Sequence, residues 1–372
     1  MAFGFDKKLG FGCMRLPMLE NGLVDEKEFT KMVDLFLEEG FTYFDTAHVY
    51  LKGESERALK HCLTSRYPRD KYFLTNKLSN IFNTEEEIRP LFNLQLEECG
   101  VDYFDFYLMH AQNAAIFEKY KKLHAYETAF ELKKEGKIKH VGISFHDSPE
   151  VLDKILTEYP ELECVQIQFN YLDYKDSYVR SDECLDICIK HNKPVIVMEP
   201  VRGGALVNLP DDGKKLLDDF NNGSYASYAI RFAASFDPIF MVLSGMSNME
   251  QMEDNVSYMK EFKPLNVAEF QTLDKIREML HSKNEIPCTS CKYCVDGCPK
   301  HISIPNVFAC LNAFKSRGDS SAGWYYLLHT ESPHSKASEC IKCGKCERSC
   351  PQKLPIRDLL VEVAKTFEEK TE

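Results

Sequence analysis

Eight of the fifteen cysteines fall into two copies of one spacing, and this repeat limits what the C-terminal part can fold around. The copies are Cys288-x2-Cys291-x2-Cys294-x3-Cys298-Pro299 and Cys340-x2-Cys343-x2-Cys346-x3-Cys350-Pro351. Three thiolates at two-residue gaps let one tight turn present three sulfurs to an iron–sulfur cubane, and the fourth cysteine, followed by proline, ligates the other cluster. The repeat predicts two [4Fe–4S] clusters, one held by Cys288, Cys291, Cys294 and Cys350, the other by Cys340, Cys343, Cys346 and Cys298.

Zinc is the alternative metal, and the spacing disfavours it. Zinc is satisfied by Cys-x2-Cys pairs and has no use for a third cysteine at the same gap or for the Cys-x3-Cys-Pro ending. The other cysteines are scattered, and we expect small buried hydrophobes at Cys13, Cys62, Cys99, Cys164, Cys184, Cys188 and Cys310.

The N-terminal segment and the hydropathy predict a cytoplasmic protein. MAFGFDKKLG contains neither the apolar stretch nor the cleavage site of a secretory signal, so we expect reduced thiols rather than a disulfide scaffold. No apolar run approaches the roughly 18 residues that cross a bilayer, so no membrane association is expected. The net charge of −12 argues against a nucleic-acid partner, which would require a basic face.

The composition changes where the cysteines begin to crowd. Residues 286–372 contain twelve Lys and Arg against ten Asp and Glu, so the acidity belongs to residues 1–285. Between the two cysteine motifs lie IPNVFACLNAFKS and SAGWYYLLHT, which are apolar at helical spacing. The tail resembles an α-helical ferredoxin, as found in iron–sulfur subunits of respiratory reductases. We therefore predict two domains, residues 1–285 and residues 286–372.

Residues 1–285 alternate between short β-type runs and amphipathic helical stretches. Eight such βα units predict an α/β fold, a (β/α)8 TIM barrel followed by the small helical ferredoxin-like domain. A doubly wound sheet is the alternative, but GFGCMRLP is not the Gly-rich turn that opens its first helix. The predicted strands lie near 10–14 and at 42–46, 71–77, 103–110, 139–144, 164–170, 194–198 and 239–245.

Polar residues stand where three of the predicted strands end. These are Asp45 and Tyr50 in FDTAHVY, Lys77 in TNK and His110 in LMH. Alone, each could be a structural residue of the core. In a barrel the C-terminal strand ends meet at one mouth, so together they suit proton donation to an oxygen. A lysine beside a phenol is expected to lower the tyrosine pKa, while the carboxylate keeps the lysine charged and the histidine polarises the same oxygen.

At this point the sequence resembles an aldo-keto reductase over roughly residues 8–262. The resemblance rests on MRLP, FDTAHVY, TNK, LMH, GIS, VQIQFN, EPVRGG and SGMSNMEQMEDN in the family's order. Barrel and tail together resemble aldo-keto reductases that carry a C-terminal 2[4Fe–4S] ferredoxin-like domain. The resemblance implies an NAD(P)-dependent oxidoreductase of a small carbonyl or alcohol, with Asp45, Tyr50, Lys77 and His110 as catalytic residues and Tyr50 as general acid.

The same resemblance implies an NADP or NAD site at the barrel mouth. Ser144 and Gln166 would bind the carboxamide, and the last barrel helix would bind the adenosine end. Met198 stands where many members place an aromatic ring, and Arg202 is the only nearby cation for a 2′-phosphate. His146 is expected either to face the substrate or to lie in a surface loop. The full predicted contact set is Met14, Ser144, Gln166, Met198, Pro200, Arg202, Gly203, Gly245, Ser247, Gln251 and Asn255.

Two further functions stay open at this stage. One is a nicotinamide-sensing regulatory subunit, and the other is an electron-transfer protein that serves a redox partner, neither turning over carbonyls. No flavin-binding segment remains once barrel and tail are assigned, so nicotinamide is not expected to reduce the clusters rapidly.

Overall fold

The barrel is built from eight parallel strands that close in sequence order. The computed structural model describes residues 2–176, 179–220, 222–281, 286, 288, 292–317, 321–350 and 354–369. The first strand pairs with the last through Leu9 and Val242, which closes the ring and confirms the predicted (β/α)8 barrel. The strands are β1 Leu9–Gly12, β2 Tyr43–Asp45, β3 Phe73–Leu78, β4 Phe104–Gln112, β5 Ile138–Phe145, β6 Cys164–Gln168, β7 Val195–Met198 and β8 Ile239–Ser244.

Helices alternate with these strands along the chain. Asp25 caps the first helix by accepting from the backbone N–H of Lys27 and Glu28. Apolar residues at helical spacing run through IFEKYKKLHAYETAFELKKEG, but the helix is broken at His124, whose φ of 50° cannot continue a helix. The helices are α1 Glu26–Glu38, α2 Glu54–Leu59, α3 Ile88–Cys99, α4 Ala114–Lys122, α5 Ala125–Lys134, α6 Pro149–Glu158, α7 Ser181–Lys190, α8 Asp211–Asp218, α9 Tyr225–Ala234, α10 Met249–Met259 and α11 Val267–His281.

Large side chains fill the barrel end opposite the predicted mouth. Phe5 packs against Tyr43, Phe106 and Phe240 with ring centroids 5.5 to 6.2 Å apart. Inside, Gly142 is required because a Cβ there would lie 2.6 Å from the carbonyl oxygen of Cys164. Because this end is filled with apolar side chains, the candidate site is expected at the other end, where the polar residues lie.

The chain divides into two compact units. The first comprises 1–175, 179–201 and 220–270, and the second 176–178, 202–219 and 271–372. The predicted boundary after residue 285 borders a stretch outside the described residues. No helix within the described ranges is long and apolar enough to cross a membrane.

The second unit is helical where it contains the cysteine motifs. Both apolar stretches between the motifs form helices, as predicted. The ring of Tyr326 stacks on that of Phe367 with 4.9 Å between the ring centroids. Ile304, Phe308 and Leu360 are buried in its core. The helices that complete this unit are α12 Tyr293–Asp296, α13 Ile304–Arg317, α14 Ala322–His329, α15 Lys345–Ser349 and α16 Ile356–Phe367.

Candidate active site and iron–sulfur site

The four predicted catalytic residues come from neighbouring elements of the barrel. Asp45 is the last residue of β2, Lys77 lies in β3 and His110 in β4. Tyr50 begins a 3-10 turn, Tyr50–Gly53, that follows β2. Because the parallel strands of a barrel end at the same rim, Asp45 and His110 lie at the same end of the barrel although they are 65 positions apart in sequence.

Lys77 makes the contacts that join this group. Its Nζ donates to Oδ1 of Asp45 at 2.5 Å, to the carbonyl oxygen of Thr46 at 2.9 Å and to the hydroxyl of Tyr50 at 3.2 Å. The Lys77 side chain is fully buried. Burial alone would lower the pKa of Lys77, but Asp45 and Tyr50 together raise it above its ordinary value. Lys77 is therefore a buried ammonium that touches the phenol.

Tyr50 differs from the sequence-based expectation. Burial raises the pKa of Tyr50 above its ordinary value, and the charge of Lys77 opposes this effect without cancelling it. Lys77 thus acts in the predicted direction, but desolvation of the phenol is larger. At neutral pH Tyr50 keeps its proton, which is the state that a proton donor needs.

His110 and His146 are neutral side chains near this cation. Burial lowers the pKa of His110 well below its usual range, and Lys77 and His146 lower it further. Burial and then Lys77 lower the pKa of His146 to about 4. Nδ1 of His110 lies 3.0 Å from Oγ of Ser79, and its ring meets that of Tyr50 edge-on at 5.9 Å between centroids. His146 is thus coupled to the site rather than remote from it.

Backbone strain accompanies the strand ends at this rim. Leu51 and Lys52 have φ values of 50° and 58°, Ala111 has 51° and Glu199 has 54°. Ala111 follows His110 at a register shift in β4, and its N–H donates to Oγ of Ser144 at 2.8 Å. Left-handed non-glycine residues cost roughly 1–3 kcal/mol each and collect at functional sites, where surrounding contacts hold them.

A buried polar network behind Lys77 was not found from the sequence. The carboxylate of Glu56 accepts from Nδ1 of His48 at 2.6 Å and from Nδ2 of Asn76 at 2.7 Å. Gln95 donates to Oδ1 of Asn76 at 2.9 Å and to the carbonyl oxygen of Lys77 at 3.0 Å. Glu56 sits in GESERALK, which is typical of a solvated helix face. The only sequence signal was Asn76 itself, a polar residue inside an apolar strand.

Two of the predicted nicotinamide contacts lie beside the catalytic group. Ser144 and Gln166 are register partners on β5 and β6, and Gln166 donates from Nε2 to Oδ2 of Asp45 at 3.1 Å. Met198 ends β7 and is partly buried, and Pro200 follows it as a buried residue. Met14 is exposed in the loop after β1.

The predicted adenosine contacts surround the start of α10. Asn248 is the N-cap residue. The backbone N–H of Ser247 donates to Oε1 of Gln251 at 2.8 Å, and buried Asn255 donates to Oγ of Ser244 at 2.6 Å. Gly245 precedes Ser247 in this loop. Arg202 and Gly203 lie in the second compact unit, in the turn Arg202–Gly204.

The second unit contains a cavity lined by four cysteines: Cys298, Cys340, Cys343 and Cys346. This set is the predicted crossed ligand set, with one cysteine from the first motif and three from the second. Among the described residues no three ligating side chains are close enough for a single metal ion. A cubane takes one cysteine on each of its four iron atoms, which is the number of cysteines that line this cavity.

The other predicted cluster set is only partly described. Cys294 is buried, whereas Cys288 and Cys350 are partly buried. Cys291 lies outside the described residues. The scattered cysteines are buried as expected, Cys310 of the second unit among them.

The barrel and its rim define a class of protein, a (β/α)8 enzyme that holds a protonated tyrosine against a buried lysine. Residues 8–278 match the aldo/keto reductase family, and residues 278–354 match the 4Fe-4S dicluster domain. The chain belongs to the aldo/keto reductase family and is an oxidoreductase with a C-terminal iron–sulfur domain. The prediction of two [4Fe–4S] clusters is confirmed by the dicluster match.

Relatives show how far the likeness extends. "Probable aldo-keto reductase 1" of Glycine max is 29% identical over 180 residues, 45% of this chain and 49% of that protein, so the match spans about half the relative's length. The holo form of an aldo-keto reductase from Bacillus halodurans is 26% identical with a TM-score of 0.57, covering 72% of this chain and 91% of that one. An aldo-keto reductase from Klebsiella pneumoniae in complex with NADPH is 18% identical with a TM-score of 0.58, covering 72% and 90%.

Proposed function

We propose that the protein reduces a small carbonyl compound with a nicotinamide as hydride donor and Tyr50 as general acid. The observation that carries the proposal is the single Lys77 ammonium bonded to both Asp45 and the Tyr50 hydroxyl. Reduction of a carbonyl places negative charge on its oxygen, and that oxygen must receive a proton. The phenol of Tyr50 is the acidic group that the buried cation directly supports.

The four residues take distinct parts in this step. Tyr50 donates its proton to the carbonyl oxygen, and Lys77 stabilises the phenolate that remains, while Asp45 keeps Lys77 charged and oriented. His110 is neutral, and in the tautomer whose Nδ1 accepts from Ser79, its Nε2–H is available to the same oxygen. The nicotinamide, when bound, supplies the hydride.

The cofactor proposed is NADP(H) or NAD(H), held across the barrel mouth. Its support is the family membership, the NADPH complex of the Klebsiella protein and the polar groups already in place. Gln166 and Ser144 would bind the carboxamide, and the loop and helix start from Gly245 to Asn255 would bind the adenosine end.

For the C-terminal domain we propose crossed ligand sets, in which each cluster is bound by three cysteines of one motif and the last cysteine of the other. The cysteine cavity carries this proposal, because Cys298 joins the three cysteines of the second motif there. Hydride transfer moves two electrons, whereas a cubane normally accepts one, so the clusters would exchange electrons with a separate redox partner rather than with the nicotinamide.

Anaerobic steady-state turnover tests the proposed reaction. The reconstituted protein is assayed with NADPH and NADH against a panel of aldehydes, ketones and quinones. Tyr50→Phe should lower kcat by at least about 100-fold, since proton donation is typically worth 10²–10⁴-fold, with nicotinamide affinity and iron content unchanged. Tyr159→Phe, which removes a partly exposed hydroxyl that donates to Glu127, is the matched control.

Two outcomes would contradict the proposal. If Tyr50→Phe retains more than about a tenth of wild-type kcat, Tyr50 is not the acid. Tight nicotinamide binding with no turnover of any substrate in the panel would instead support a nicotinamide-sensing protein.

A further inference from the structure

The mouth of the cysteine cavity is exposed and basic. Cys343 is exposed, and Ile341, which also lines the cavity, is 58% exposed. Lys300 and Lys345 line the same cavity, and no Asp or Glu among the described residues does so. We call the surface formed by Lys300, Ile341, Lys342, Cys343 and Lys345 the cysteine face.

Within the described part of the chain, Lys300, Lys342 and Lys345 form no ion pair, whereas nearby Glu347 is engaged by Arg357 at 2.8 Å. This face therefore presents three lysines on a chain whose net charge is −12. A local cationic surface on an acidic protein selects partners by charge.

An exposed apolar residue, Ile341, stands among these charges and lines the same cavity. Exposed Ile341 is adjacent to Lys342 in sequence, and both lie on the exposed segment that contains Cys343. An apolar centre within a charged rim is the usual anatomy of a protein interface, and weak redox encounters use the smallest ones. Complementary charge on the partner then raises the association rate.

We propose that the cysteine face docks an acidic one-electron carrier protein, which delivers electrons to the cluster held by Cys298, Cys340, Cys343 and Cys346. In each encounter one electron passes from the reduced carrier to the oxidised cluster; no proton moves and no bond forms or breaks. The proposal rests on the crossed ligand set of the proposed function, because that set places the cluster under this face.

Binding is measured on the anaerobically reconstituted full chain by biolayer interferometry. The probes are two acidic carriers, a flavodoxin and a 2[4Fe–4S] ferredoxin, with basic cytochrome c as the mismatched carrier. We expect an acidic carrier to bind, with affinity falling as salt rises, and cytochrome c not to bind. The triple variant Lys300→Glu/Lys342→Glu/Lys345→Glu should weaken binding at least about tenfold, mainly through association rate.

A control triple separates this face from overall charge. Lys27→Glu/Lys134→Glu/Lys365→Glu makes the same charge change at exposed helical lysines that do not line the cavity, and it should leave binding unchanged. Iron content is measured for every variant. If charge reversal removes iron, the milder Lys342→Gln/Lys345→Gln variant, with full iron, must show the weakened binding.

The proposal is wrong if neither acidic carrier binds, or if cytochrome c binds equally well. It is also wrong if the control triple variant weakens binding as much as the Lys300/Lys342/Lys345 triple variant. A salt-sensitive dimer that only the Lys300/Lys342/Lys345 triple variant abolishes would overturn it too. The dimer would assign the face to a second copy of this chain. Carbonyl turnover on the same samples reports the proposed function separately, since the Lys variants leave Tyr50 and Lys77 intact.

Discussion

Gln166 donates from Nε2 to Oδ2 of Asp45 at 3.1 Å, and this bond crosses the barrel between strands on opposite sides of the ring. Asp45 thus divides its two carboxylate oxygens between Lys77 and Gln166. A residue predicted as a cofactor contact is therefore also a positioning residue for the catalytic group.

Gln166→Leu should lower kcat and raise the KM for nicotinamide, each by about tenfold or more. A hydrogen bond to a charged group contributes about 1.5–3 kcal/mol, and this variant leaves that oxygen of buried Asp45 without its donor. Steady-state kinetics and nicotinamide titration measure the two effects. Gln271→Leu, on an exposed helical position, is the control. Unchanged kcat and affinity in Gln166→Leu would show that Gln166 only fills space.

The His48–Glu56 contact should make stability depend on pH. The hydrogen bond to Glu56 raises the pKa of His48 above its ordinary value. A raised histidine pKa stabilises the folded state fully below about pH 6.5, the unfolded value, and this contribution is lost as pH rises through the folded value. His48→Asn should therefore lower the urea midpoint more at pH 6 than at pH 8.5.

Anaerobic urea titrations followed by circular dichroism measure this difference. His61→Asn is the control, because His61 and its partner Glu26 are both exposed and such pairs contribute little. An equal loss at both pH values in His48→Asn would mean that the contact is structural and not ionic.

Cys298→Ser should damage the cluster held by Cys340, Cys343 and Cys346. The wild type is expected to hold about eight iron and eight acid-labile sulfide, from two cubanes. If Cys298 shares a cluster with Cys343, Cys298→Ser/Cys343→Ser should lose no more iron than either single variant. Combining Cys298→Ser with Cys288→Ser should instead impair both clusters.

Iron and sulfide analysis with low-temperature EPR of the reduced protein distinguishes these cases. Cys310→Ser, a buried cysteine outside the motifs, is the control. Additive loss in the Cys298/Cys343 pair, and none in the Cys298/Cys288 pair, would contradict crossed ligation. One zinc per motif without visible absorbance would contradict the clusters altogether.

NADPH alone should not reduce the clusters at a rate comparable with carbonyl turnover. Hydride carries two electrons and a cubane normally takes one, so transfer between them is expected to be slow. Stopped-flow mixing of flavin-free protein with excess NADPH, followed near 400 nm, measures the rate. Bleaching as fast as turnover would join barrel and tail into one redox chain.

Much of the fold was predictable because the hydropathy pattern of each strand matches its burial in the barrel. The run 194–198, PVIVM, was predicted as a strand and β7 spans Val195–Met198, since a strand buried on both faces reads as a continuous apolar run. Asp45, Lys77 and His110 stood out because each is a polar residue near the end of a predicted strand. The break at His124 is not visible in the sequence, because the helical periodicity continues through this residue of positive φ.

The network around Glu56 was not predictable from the chain alone. Glutamate is usually solvent-exposed, so a glutamate in a polar helix is read as surface. Glu56 is fully buried because Asn76, Gln95 and His48, from three other segments, satisfy its oxygens. Only the closed barrel brings those segments together.

The sequence by itself determined the barrel, the candidate site residues and the two-cluster tail, because strand periodicity and cysteine spacing are local properties. Tertiary structure decided the protonation states. Tyr50 and Lys77 are 27 residues apart, and whether the phenol keeps its proton depends on burial outweighing the nearby ammonium. Desolvation depends on everything packed around a group, so no local pattern of residues specifies it.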